Sequence, residues 1–86
     1  MKPGAGGIVT LPADVINRHI GAKLREHREA SGLSTGKLAK LAGISRHTLM
    51  RYEIKCHPIP ASTLMILATI MRVPINNFFE EESYTS

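Results

Sequence analysis

Five basic side chains, Lys37, Lys40, Arg46, Arg51 and Lys55, fall between Ser34 and Lys55, and Glu53 is the only acid among them. That stretch alone carries a surplus of four positive charges, as large as the net +4 of the whole chain. Glu80, Glu81 and Glu82 stand together towards the other end. Solvated surfaces usually intersperse their charges, so the separation points to a face that meets a polyanion, although an ordinary basic helix surface carries the same residue types. The groups able to do catalytic chemistry show no such concentration. His19, His27, His47 and His57 are scattered, with no His-x-x-x-His or Glu-x-x-His pair to hold a metal from one helix. Cys56 beside His57 hints at thiol chemistry, but neighbours in a loop define no nucleophile–base geometry. A lone cysteine can neither staple a fold nor build a Cys-based zinc site. Gly4, Gly6 and Gly7 are not followed by the Gly-Lys-Ser/Thr of a phosphate loop. These residues lead us to expect a binding protein rather than an enzyme, without cofactor or metal.

The elements that position these groups must come from 86 residues, enough for one small domain. A hydrophobic share of 43% and a charged share of 21% are those of an ordinary globular chain. Aromatics make up 5% and tryptophan is absent, which favours an aliphatic helical core over a sandwich or barrel. No apolar run approaches the roughly 20 residues of a membrane span, and the N-terminus lacks the apolar centre of a signal peptide. A soluble, cytoplasmic protein is expected.

The pattern along the chain is helical, with neither sustained alternation nor an internal repeat. Residues 1–12 read as a flexible N-terminal arm or a remnant of an added segment. Pro12 and Asp14 open a first helix whose stripe runs Ile16, Ile20, Leu24, Arg28, and Gly32 ends it. The aliphatic members are expected in the core, and Arg28, a charge on the same stripe, needs a partner. Ser34 caps a second helix with Leu38, Ala39 and Leu41 on its apolar side, and Gly43 breaks it. Ser45 caps a third, with Ile44 and Leu49 pointing inward and Tyr52 near its end. So tight a glycine turn makes the two helices cross steeply. Ile54 to Pro60 is a loop with two prolines, and a fourth helix runs from Ala61 to about Arg72. Pro74 starts a last short turn that inserts Phe78 or Phe79. The expected architecture is all-α, five helices around one core over residues 13–80, with an acidic tail at 81–86.

Thr35 to Tyr52 is the distinctive part. Ala39 is small where two helices cross closely, Gly43 supplies a positive φ, and Leu38, Ile44 and Leu49 fill the wedge behind the turn. At these residues the chain resembles the phage lambda repressor and Cro-like, or XRE-type, helix-turn-helix regulators. The likeness extends over roughly Ile20 to Phe79, through Ile20-Gly21-Ala22-Lys23-Leu24-Arg25, Arg28, Gly32-Leu33-Ser34, Gly43-Ile44-Ser45, Arg51-Tyr52-Glu53, Leu64, Leu67-Ala68, Val73 and Phe78-Phe79. It implies a compact lambda-repressor-like DNA-binding domain with its helix-turn-helix at 35–54, and a structural ion pair between Arg28 and Glu53.

The resemblance also distributes roles in DNA binding. The recognition helix begins at Ser45, and Arg46 and His47 near its start are best placed to reach base edges in the major groove. Arg46 suits guanine O6 and N7, whereas the base preference of His47 stays open. Arg51, on the same face, meets base or phosphate. Ser45, Thr48 and Thr35 are expected on phosphates, with Lys37, Lys40 and Lys55 adding sequence-independent attraction. Met50 either meets a thymine methyl or fills an apolar crevice. This chain departs from the family pattern in four places. Thr35 stands where Gln is frequent, Gly36 where an acid is, and His27 where Leu is, and the loop Ile54-Lys55-Cys56-His57 lacks the usual glycine.

The function implied is sequence-specific binding of double-stranded DNA by a homodimeric transcriptional regulator, read as a repressor, with no membrane association. Ile75, Phe78 and Phe79 are the candidates for the dimer contact. The alternatives are an antitoxin or restriction-controller subunit that binds DNA together with a partner protein, and a protein-interaction module that has lost DNA binding. The retained Arg46 and Arg51 count against the last.

Overall fold

Side-chain caps start the two short central helices of the computed structural model, which describes residues 13–79. Ser34 Oγ accepts the Lys37 amide at 3.1 Å and Ser45 Oγ accepts the Thr48 amide at 3.0 Å, each satisfying a first-turn N–H that the helix itself leaves open. The order is α1 (Ala13–Ala30), α2 (Thr35–Ala42), α3 (Arg46–Glu53) and α4 (Ala61–Met71), followed by a 3-10 helix, Ile75–Phe78. The expected fifth helix is thus a single 3-10 turn; only four residues separate Pro74 from Phe79, too few for an α-helical ladder. No strand occurs among the described residues. The N-terminal arm up to residue 12 and the segment from Glu80 through the acidic tail lie outside them.

Three helices stop by the same backbone device. Gly32, Gly43 and Arg72 take the left-handed conformation (φ 72°, 74° and 59°). In each case the next amide returns five residues: Leu33 to the Arg28 carbonyl, Ile44 to Ala39 and Val73 to Ala68. Gly43 thereby turns the chain from α2 into α3 within three residues.

Leu24, Leu38, Ala39, Leu49, Tyr52, Leu64, Leu67, Ala68, Met71 and Phe78 form one buried cluster. Half-buried Ile20, Leu33, Ile44, Ile59 and Val73 pack around it. The Phe78/Phe79 alternative resolves in favour of Phe78, which is fully buried, while Phe79 is 56% exposed. His27 occupies its leucine-like position half-buried, its ring set edge-on to Phe78 at 5.3 Å. Two expected core residues are not in the core. Ile16 is 41% exposed, because the α1 stripe outruns the bundle and burial begins only at Ile20. Leu41 is 50% exposed. Leu38, Ala39 and Ala42 define the inner face of α2, and at about 100° per residue Leu41 sits roughly a quarter-turn off its centre.

Gly21 sets how closely α1 approaches α3. A Cβ built there would strike the Tyr52 carbonyl oxygen, with the Glu53 carbonyl next nearest. Gly36, in contrast, has open space around it. The two glycines should therefore respond to alanine with opposite signs. Gly21→Ala is expected to lower stability by about 1–3 kcal/mol as the helices are pushed apart. Gly36→Ala is expected to raise it by up to about 1 kcal/mol through helix propensity. Urea unfolding midpoints moving in opposite directions would bear this out; equal shifts would show that Gly21 is not a packing constraint.

Candidate nucleic-acid interface

Burial divides α3 into two faces. Leu49 and Tyr52 are in the core, while Arg46, His47, Met50 and Arg51 are exposed, as are Ile54 and Lys55 just beyond the helix. Thr48 is half-buried, and its hydroxyl accepts from Ser45 Oγ at 2.8 Å, so the two hydroxyls form one capping unit at the start of α3. On α2, Lys37 and Lys40 are exposed and Thr35 half-buried in the first turn. The described structure therefore presents Arg46, His47, Met50, Arg51 and Lys55 on a single outward surface of the helix and its exit loop.

What holds that surface in place is the Arg28 guanidinium. Its Nε donates to Glu53 Oε2 at 2.8 Å, Nη2 to Glu53 Oε1 at 3.2 Å, and Nη1 to the Leu33 carbonyl at 2.8 Å. The side chains are only 11% and 2% exposed. One residue of α1 thus ties together the end of α3 and the loop entering α2, in the two-pronged geometry that suits a planar guanidinium and a carboxylate.

The pair also decides the electrostatics. Glu53 is the one acid of the helix-turn-helix stretch, and its charge is directed inward onto Arg28. Lys37, Lys40, Arg46, Arg51 and Lys55 have no acidic partner among the described residues. The cations of α1 differ: Arg18 pairs with Asp14 at 3.8 Å, Lys23 with Glu26 at 3.6 Å and Arg25 with Glu29 at 3.2 Å. Arg18, Lys23 and Arg25 are thus matched within α1 and Arg28 by Glu53, while the bases of α2 and α3 are left open.

Beyond α3 the chain manages without glycine because Cys56 itself takes the left-handed conformation, φ 58°. The Lys55 and His57 amides both return to the Arg51 carbonyl, at 3.1 and 3.2 Å. This fold-back brings His57 round to His47, and the two imidazoles line one pocket of about 210 Å³ with Met50, Arg51, Ile54 and Lys55. Residue types and spacing give no sign of this shared pocket, since the path depends on a non-glycine residue in a glycine conformation. Among the described residues no group of three or more His, Cys, Asp or Glu is placed to hold a metal ion, and no helix is long and apolar enough to cross a membrane.

Two short helices joined by a glycine turn, the second exposing a row of unpaired bases, constitute a helix-turn-helix. The helix-turn-helix domain family matches residues 19–75. The chain is 33% identical over 66 residues to an HTH-type transcriptional regulator of Sinorhizobium medicae, covering 77% of this chain and 48% of that protein. Identity is again 33% over 66 residues to a transcriptional regulator in the ATPase CF(0) region of Rhodospirillum rubrum, covering 77% and 61% of the two. The chain thus spans about half to three-fifths of the length of these curated relatives. Among solved structures, the restriction-modification controller protein C.AhdI of Aeromonas hydrophila superposes with a TM-score of 0.71 at 29% identity, over 76% of this chain and 98% of that one. The clp gene regulator ClgR of Corynebacterium glutamicum superposes with a TM-score of 0.76 at 19% identity, over 86% and 79%, a likeness of fold. The chain belongs to the helix-turn-helix domain family, and within it to the lambda repressor and Cro-like, XRE type.

Removing Arg28 leaves Glu53 charged and enclosed without a partner. Arg28→Ala is expected to destabilise the fold by about 3–5 kcal/mol, whereas Arg28→Met combined with Glu53→Leu should recover most of that loss. Chemical denaturation of the two variants makes the comparison. A double variant no more stable than Arg28→Ala would show that packing around the pair, rather than its charge, is what matters.

Proposed function

We propose that this chain binds double-stranded DNA sequence-specifically and regulates transcription, most simply as a repressor acting in the cytoplasm as a homodimer. The observation that carries this reading is the contrast in charge: five exposed, unpaired cations on the helix-turn-helix, whose single acid is turned inward. A surface of that kind gains by releasing counterions from a phosphate backbone. Arg46, His47 and Arg51 are assigned to base edges, with Arg51 also within the reach of phosphate. Thr35, Lys37, Ser45, Thr48 and Lys55 are assigned to the backbone, the Ser45 and Thr48 contacts running through the α3 cap. Similarity to transcriptional regulators of Sinorhizobium medicae and Rhodospirillum rubrum supports the same role. A restriction-modification controller is the second reading, favoured by the match to 98% of the length of C.AhdI.

The experiment is selection from a randomised duplex pool, followed by anisotropy titration at several salt concentrations. Affinity should fall steeply with salt, and the enriched motif should be two-fold symmetric. Arg46→Ala is expected to relax preference at one base pair per half-site by about 1–3 kcal/mol, while Lys37→Ala reduces the salt slope by about 1 and leaves the motif intact. Failure to bind any duplex at low salt would overturn the regulator reading.

Phe78 is sealed in the core and half-buried Ile75 offers little, so of the expected dimer residues Phe79 alone presents a large apolar surface. A second surface is supplied by Leu41, Met65 and Ile66, all exposed, beside α4, a helix without a single charged residue. Two copies of a chain of net charge +4 can meet there without opposing like charges. Met65→Asp, an exposed change, is expected to shift the sedimentation equilibrium towards monomer while the thermal midpoint of the monomer stays put. An unchanged equilibrium would place the dimer contact elsewhere.

A further inference from the structure

The pocket beside α3 is the one feature of the basic surface that charge does not explain. Met50 is 38% and Ile54 55% exposed, and neither belongs to the core that Leu49 and Tyr52 enter from the opposite side of the helix. Residues 47, 50, 51 and 54 follow helical spacing, so His47, Met50, Arg51 and Ile54 share one face. The pocket lining is mainly hydrocarbon, and besides Met50 and Ile54 it is formed by the basic residues Arg51 and Lys55 and by His47 and His57. Its occupant must therefore bring an apolar group on a polyanionic carrier.

In the major groove, base-pair edges present mainly hydrogen-bond donors and acceptors, and the one bulky apolar group among them is the C5 methyl of thymine. Uracil and cytosine lack it. A cytosine amine or guanine carbonyl held against Met50 and Ile54 would lose water without gaining a partner. We propose that Met50 and Ile54 form a thymine-methyl reader, which requires a 5-methylated pyrimidine where the C-terminal half of α3 faces the groove. The exposed bases Arg51 and Lys55 beside the pocket hold the flanking phosphates and bring the methyl to it. Specificity is then divided along α3: hydrogen bonding near Arg46 at its start and methyl recognition at its end. This inference rests on the DNA-binding reading and adds to it the chemical class of base that the second half of the helix selects.

The test replaces each thymine of the selected duplex in turn with deoxyuridine, which removes the methyl and keeps the pairing. At one or two positions per half-site, affinity is expected to drop roughly threefold to tenfold, as befits one buried methyl group. A Met50→Ser, Ile54→Ser double variant should bind thymine and uracil duplexes equally, with the salt slope retained. Both positions are exposed, so its thermal midpoint should match that of the parent protein. Equal affinity of the parent for thymine and uracil at every position, with selective binding intact, would overturn this proposal alone. A uracil penalty that survives in the double variant would overturn it too, by assigning the methyl to other side chains. Absence of any duplex binding would remove the regulator reading and this proposal together.

Discussion

The three hydrogen bonds of the Arg28 guanidinium are the joint on which the functional surface depends. A helix of eight residues is too short to stand alone in water, so α3 takes its orientation from what it packs against. Leu49 and Tyr52 give it an apolar seat, and an apolar seat by itself permits rotation and sliding. Arg28 removes that freedom by holding the carboxylate at the end of α3 and the backbone at Leu33 with one rigid planar group. The approach of Gly21 to the Tyr52 carbonyl sets the distance at which this happens. Orientation and spacing are thereby fixed by two residues of α1, both remote from the outward face of α3.

The same joint shapes the field around the molecule. An acid at the end of a basic helix would ordinarily dilute the positive potential just where a polyanion arrives. Folding turns Glu53 inward, and the surface retains the charge of its bases. Since Arg18, Lys23 and Arg25 are matched within α1 and Arg28 is matched by Glu53, the positive potential is concentrated on α2 and α3 rather than spread over the domain.

Much of this was legible in the residues. Ser34 and Ser45 announce the two caps, and Gly32 and Gly43 announce left-handed turns, because these are local effects of single side chains on adjacent backbone. The Arg28–Glu53 pair required the family resemblance: spacing reveals that a charge on the α1 stripe needs a partner and is silent on which acid, 25 residues away, supplies it. Ile16 and Leu41 were misplaced because apolar type and helical spacing record what is able to be buried, whereas the reach of neighbouring elements decides what is. Gly21 passed unexplained among the family residues, since its function exists only once α3 lies across it. Arg72 and Cys56 adopt glycine-like conformations without being glycine, and the placing of His47 and His57 on one pocket follows from the turn at Cys56, which residue type does not signal.

The length of α3 sets a ceiling on discrimination. Its eight residues extend about 12 Å, which overlies some three or four base pairs of a duplex rising about 3.4 Å per step. With four alternatives at each step, even faultless reading of four steps singles out only about one position in 250. Against a background of about 10⁶ or more competing positions, such a reader would be occupied almost everywhere. Two rigidly joined copies multiply their selectivities instead of adding them, to about one position in 60,000. The economy of a two-turn helix is thus a limit on information, and in any paired arrangement the spacing between copies would be as much a part of the address as the bases themselves.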